Sequence, residues 1–239
     1  MTEPEPSGPE PSPSRLAWLP YVAPMVTFLV LTSLEDTLRK AKDGGPSPTW
    51  YPVAYAIKMV IVTAVMVACR STWRDLRRPS GAHVALATAL GLAVAAIWVG
   101  LDGHYGALPF LGGTRAAFNP NLMSPAARIG FLAVRLYGLV LLVPLFEELF
   151  WRSFGIRYAI DPDFTRVPIG RITTMAATVT SVVFALSHPV EWLPALITGF
   201  AWAWLVYRTK SLTACVVSHA VANLGLGVYV LTTHAWKFW

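Results

Sequence analysis

Charge is what this chain has least of. Of its 239 residues only 13% are Asp, Glu, Lys or Arg, while 55% are hydrophobic and the mean hydropathy is +0.52. Water-soluble domains carry about 25% charged residues, so a soluble globular domain is excluded and an integral membrane protein is expected. Cysteine is also scarce. Cys69 and Cys215 are the whole supply, both in or at the edge of apolar runs, where unpaired packing residues are expected rather than a disulfide framework. Two hydrolase signatures are missing: no His-Glu-x-x-His of a zinc protease and no Gly-x-Ser-x-Gly nucleophile elbow. The net charge of +6 is no nucleic-acid signal. Its basic residues sit in short connections between apolar runs, where they set topology and touch lipid headgroups, so the bilayer is the expected partner and nucleic acid is not.

The N-terminal stretch TEPEPSGPEPSPS is rich in Pro, Ser and Glu and has nothing to bury. A disordered tail is expected over residues 1–15. It is acidic where a secretory signal is basic, so a signal peptide is not expected. The rest, 16–239, reads as a single transmembrane helical domain without internal repeats. The fold class expected is an all-α polytopic bundle of about seven spans, within a range of six to eight, since each span needs roughly 20 residues. The spans fall at 16–34, 51–68, 83–101, 128–158, 172–188, 192–207 and 212–231. Pro144 is expected to kink the fourth. The connection 102–127 is long and rich in Gly, Pro and Asn, and can hold a re-entrant or interfacial piece. The most basic loop carries Arg70, Arg74, Arg77 and Arg78, which favours the N-terminus inside and, with seven spans, the C-terminus outside. Arg39, Lys40 and Lys42 run against that bias.

Ionisable groups at membrane depth are costly and usually functional. The apolar run 129–145 is followed by Phe146-Glu147-Glu148-Leu149-Phe150-Trp151-Arg152. Adjacent helix positions lie about 100° apart, so the two carboxylates cannot share one pocket. Glu148 and Arg152 are spaced i, i+4 and can pair. Glu147 is then free to face a polar cavity, where a carboxylate suits a general base that takes a proton from water. His219 and Asn223 share a helix face by the same spacing, and together they can donate hydrogen bonds to a developing oxyanion. His188 closes the fifth span against Pro189, with Phe184 on the same face. Each group also has a bland reading: an interfacial anchor, an interhelical hydrogen-bond pair, a structural histidine at a helix end. One Glu, two His and one Asn on late spans are hard to explain together as packing. Measured from the cytoplasmic ends at 1.5 Å per residue, Glu147 is about 16 Å deep, His219 about 10 Å and His188 about 24 Å. They can meet near the middle of the bilayer if tilt, Pro144 or Pro189 closes the difference. Cys215 reads as packing, His83, His104 and His234 as outside the site, and Lys58 and Arg135 as snorkelling or paired.

These motifs, in order, resemble those of the CPBP family. It comprises glutamic-type intramembrane proteases, among them CAAX prenyl endopeptidases and bacterial bacteriocin-processing or immunity relatives. The family pattern is Glu-Glu-x-x-x-Arg, Phe-x-x-x-His and His-x-x-x-Asn. The chain supplies Glu147-Glu148-Leu-Phe-Trp-Arg152, Phe184-Ala-Leu-Ser-His188 and His219-Ala-Val-Ala-Asn223 within residues 128–231. Size and layout are similar to the bacterial CAAX-protease-related proteins associated with exosortase or C-terminal sorting systems. The resemblance implies that Glu147 and His188 position and deprotonate the attacking water. It makes His219 and Asn223 the oxyanion donors, and Glu148 and Arg152 supporting residues.

The expected function is therefore an intramembrane endopeptidase, acting near the C-terminus of a membrane-anchored or lipid-modified protein in a bacterial inner membrane. No cofactor is expected. A zinc ion held by the Glu/His/His set is the alternative mechanism. The alternative function is a non-catalytic membrane scaffold, immunity protein or small transporter that uses the polar cluster as a binding site.

Overall fold

The computed structural model describes residues 16–38, 47, 49–108 and 117–238. The tail expected over 1–15, the basic residues Arg39, Lys40 and Lys42, and part of the 102–127 connection lie outside the described residues. Among the described residues there are helices and no strands. Seven helices follow one another: α1 (Leu19–Leu38), α2 (Trp50–Ala68), α3 (Gly81–Gly100), α4 (Pro125–Ile160), α5 (Thr174–Leu186), α6 (Trp192–Thr209) and α7 (Leu212–Thr233). The all-α expectation and the seven-helix layout hold. Four of them, α2, α3, α4 and α7, are long and apolar enough to cross a membrane.

Local chemistry sets the ends. Ser80, Thr173 and Ser211 each accept a hydrogen bond from the backbone N–H three residues on, at 3.2, 3.1 and 3.2 Å, which starts α3, α5 and α7. Helices α6 and α7 both stop on a left-handed residue, Lys210 (φ 49°) and His234 (φ 60°), which turns the chain away from the axis.

Two lengths depart from the sequence expectation. Helix α4 runs for 36 residues, about 54 Å at 1.5 Å per residue, well beyond one crossing. Helix α5 has 13 residues where the sequence suggests a span of 172–188. That is about 20 Å, short of the roughly 30 Å hydrocarbon core. The turn 187–191 that follows carries His188 into a cavity wall, and its Pro189 carbonyl accepts from the Leu108 N–H at 3.0 Å.

Helices in lipid associate by close backbone approach at small residues. A Cβ on Gly91 of α3 would stand 2.4 Å from the Ser218 carbonyl oxygen of α7, and one on Gly199 of α6 would stand 2.9 Å from the Ser181 Cα of α5. The first contact matters for the site, because Ser218 precedes His219.

Two cations within the helices have partners. Lys58 of α2 forms an ion pair with Glu35 of α1 and donates to Thr32 Oγ1 at 3.2 Å. Arg135 donates to the Tyr51 hydroxyl at 3.3 Å and lies over the Tyr55 ring. Both residues thus take the paired role expected of them. The basic loop contains a short 3-10 turn, Arg70–Asp75, whose last residue is a clamp. Asp75 Oδ2 accepts from Tyr21 of α1 (2.8 Å) and from Ser153 (2.5 Å) and Arg157 (2.9 Å) of α4. The clamp ties α1, the loop and the end of α4 together. Nothing in the local sequence of that loop announces this role.

Gly91→Val is expected to destabilise the protein by about 1–3 kcal/mol, because the added methyls meet backbone that cannot rotate away. Denaturant unfolding in detergent micelles, compared with an exposed control such as Gly100→Ala, checks it.

Candidate active site

The site begins with a missing hydrogen. Pro144 has no N–H to donate and its ring crowds the preceding turn. Just before it, Gly138–Leu142 widens into a π turn in which the Val143 N–H reaches back to Gly138. The next bond in that register would run from residue 144 to the Leu139 carbonyl, and proline cannot make it. The carbonyl is satisfied from another helix: Asn223 Nδ2 of α7 donates to it at 2.8 Å. Only the amide nitrogen can donate to a carbonyl, so this bond fixes which way the carboxamide faces. The kink expected at Pro144 is thus a π turn that holds Asn223. A second π turn, Leu149–Gly155, follows the glutamate pair; such turns are frequent at functional sites.

Glu147 and Glu148 part ways as their spacing requires. Glu148 is completely buried, and its Oε1 accepts from Arg152 (3.1 Å) and from His219 Nδ1 (2.9 Å). Glu147 faces a cavity of about 190 Å³ that is also lined by His188, His219, Asn223, Trp98 and Trp202. Among the described residues no side chain or backbone N–H donates to the Glu147 carboxylate. All four residues put forward for catalysis line this one cavity, and both supporting residues lie directly behind it.

The two imidazoles are set by their partners. His188 Nδ1 lies 2.9 Å from the Phe184 carbonyl oxygen, which can only accept. Nδ1 is therefore the donor, and Nε2 is the nitrogen left for the cavity. The Ser187 hydroxyl, at 3.1 Å from the same nitrogen, is tied to that carbonyl at 2.7 Å. The short α5 and the turn after it bring this ring to the cavity wall. In His219 the carboxylate of Glu148 holds Nδ1–H, and Nε2 is the nitrogen left for the cavity.

Aromatic faces hold the rest. The Arg152 guanidinium lies between the Phe184 ring (4.9 Å) and the Trp202 ring (4.8 Å). Trp202 also stacks on the His219 imidazole, with centroids 4.3 Å apart and planes 26° apart. Its own N–H is held by the Ser218 hydroxyl at 3.1 Å. Trp98 meets His188 edge to face at 5.8 Å and anchors its N–H on Thr198 at 3.0 Å. Neither tryptophan stands out in the sequence, where aromatic residues in apolar spans are common. Cys215 is buried with its thiol toward the Trp202 carbonyl at 3.5 Å, a packing role as expected. His83, His104 and His234 do not line the cavity.

As to the zinc alternative, no three His, Cys, Asp or Glu side chains among the described residues stand close enough to share a metal ion.

Residues 129–225 match the family model described as type II CAAX prenyl endopeptidase, Rce1-like. The matched segment holds all six motif residues and runs through α4, α5, α6 and most of α7, so the CPBP resemblance is met over the spans that carry it. No curated protein and no solved structure matches the chain.

Arg152→Ala is expected to cost about 3–5 kcal/mol, because it leaves Glu148 charged, buried and short of a partner. Thermal unfolding in detergent checks it. The double variant with Glu148→Gln is expected to recover part of the loss.

Proposed function

From the premise that residues 129–225 form an Rce1-like, CAAX-type protease domain, we propose that the cavity hydrolyses a peptide bond by a glutamate-activated water. The observation that carries this reading is the convergence, in one cavity, of the Glu147 carboxylate, which takes no donor among the described residues, and the His188 imidazole, whose Nδ1 is held by the Phe184 carbonyl so that Nε2 is left for the cavity. A water between Glu147 and His188 Nε2 is positioned by both. As its oxygen attacks the scissile carbonyl, its proton passes to Glu147. The carbonyl oxygen becomes an oxyanion. It is met by the second N–H of Asn223 and, when His219 carries its second proton, by Nε2–H. Arg152 and Glu148 cancel each other's charge, so a proton on His219 leaves net positive charge next to the oxyanion. The tetrahedral intermediate collapses as the C–N bond breaks, and the proton on Glu147 passes to the leaving amine.

The substrate proposed is the C-terminal region of a membrane-anchored or lipid-modified protein. The chain is read as residing in a bacterial inner membrane with its N-terminus inside, on the strength of the basic loop at residues 70–78. The arrangement suits catalysis better than simple binding. A scaffold or transporter would gain nothing from aiming an imidazole nitrogen and a carboxylate that takes no donor among the described residues at the same small volume.

The test is mass spectrometry of membrane-protein C-termini in cells with the native chain or Glu147→Gln at equal expression. A defined set of cleaved termini is expected to disappear in the variant. Unchanged termini, with the native protein active in some phenotype, would move the reading to a binding role. With a cleaved sequence in hand, Asn223→Ala is expected to lower kcat by about 10²–10³-fold, the usual cost of one oxyanion donor. Part of that loss would reflect the Leu139 carbonyl left without its partner, so a folding measurement accompanies the rate.

A further inference from the structure

One wall of the cavity belongs to none of the motifs. Phe238, in the short 3-10 turn Trp236–Phe238, lines the same space as Glu147 and His188. The chain reaches it by leaving α7 at Thr233, reversing through the left-handed His234 and folding back. Phe238 packs against the Tyr229 ring of α7 at 6.0 Å. The neighbouring Lys237 forms an ion pair with Asp102 at the end of α3.

We propose that Trp236–Phe238 is a gate over the Glu147 cavity, closed by the Phe238 ring, latched by Lys237 and Asp102, and displaced when a substrate enters. Three features support it. The latch is weak by design of its surroundings: the Lys237 side chain is 48% exposed and Asp102 14%, and an ion pair of that kind biases an equilibrium only about two- to fivefold. The segment is a single 3-10 turn outside α7, so its displacement unravels no turn of that helix. The latch also communicates with the site. The loop that carries Asp102 is bonded to the turn that carries His188, through Leu108 N–H to the Pro189 carbonyl (3.0 Å) and Trp192 Nε1–H to the Gly106 carbonyl (2.9 Å). Tyr105 packs edge to face on Trp192 at 6.0 Å in the same contact. The latch and the imidazole are thus joined through one contact between these two segments.

The gate rests on the cavity being the reactive site, but access can be read without any substrate. Ala222 lines the cavity on the same helix as His219 and Asn223, and it has no side-chain chemistry of its own. In full-length protein with Cys69→Ser, Ala222→Cys is treated with methyl methanethiosulfonate, and its rate of modification is followed by mass spectrometry. Buried Cys215, also on α7, is the internal reference. Lys237→Glu sets like charges against each other and is expected to raise the Ala222→Cys rate at least two- to fivefold. Adding Asp102→Lys re-forms the pair with reversed sign and is expected to return the rate to within about twofold of the start. Cys215 is expected to stay slow throughout. An Ala222→Cys thiol equally reactive, or equally inert, with and without the charge reversal overturns the gate. So does a rise shared by Cys215, which signals general loosening. Because the thiol reads entry alone, its outcome is separate from whether Glu147 cleaves peptides.

Discussion

A carboxylate with no exposure to solvent sits at the centre of this molecule. Glu148 is held by Arg152 from its own helix and by His219 from α7. Leaving such a group unpaired costs several kcal/mol, so α4 and α7 are obliged to meet at this height. The same bond orients His219. The arginine that balances the charge lies between two rings, one from α5 and one from α6. One ionised group thus registers all four helices of the matched segment, and the cavity forms on the other side of that contact. Stability and reactivity are joined at a single pair of adjacent residues that face opposite ways.

The second constraint is a backbone one. A bilayer offers no water to satisfy stray carbonyls, so the bond that Pro144 cannot make has to come from protein. Asn223 supplies it, and in doing so its carboxamide is fixed beside the cavity. On α5 the Phe184 carbonyl, close to the end of a helix that stops short, holds the proton of His188 Nδ1. Both polar side chains are aimed by backbone carbonyls that regular helices would have consumed. Departures from helical regularity are what make the site, and in lipid each of them demands a partner.

Much of this was legible beforehand. Low charge and long apolar runs announced a helical membrane bundle, because only helices and closed barrels satisfy their backbones in lipid. The i, i+4 spacing of Glu148 with Arg152, and of His219 with Asn223, announced shared faces because an α-helix repeats every 3.6 residues. The expectation that Glu147 and Glu148 diverge follows from the same geometry. Local periodicity did not show where a helix stops: the span expected over 172–188 is a helix of 13 residues followed by a turn. Pro144 pointed to a kink, but which carbonyl it would free, and which side chain would answer, depended on a neighbouring helix.

Sequence alone determined the membrane setting, the helical class and the six residues worth watching, since composition and helical period are local properties of the chain. Tertiary structure decided everything that joins residues far apart. It set Asp75 against Arg157, Trp202 against His219, Asn223 against Leu139 and Lys237 against Asp102. None of these pairs shares a spacing or a motif. Each arises because buried polar groups in a low-dielectric setting must find partners, and which partner is within reach is settled only once the helices have packed.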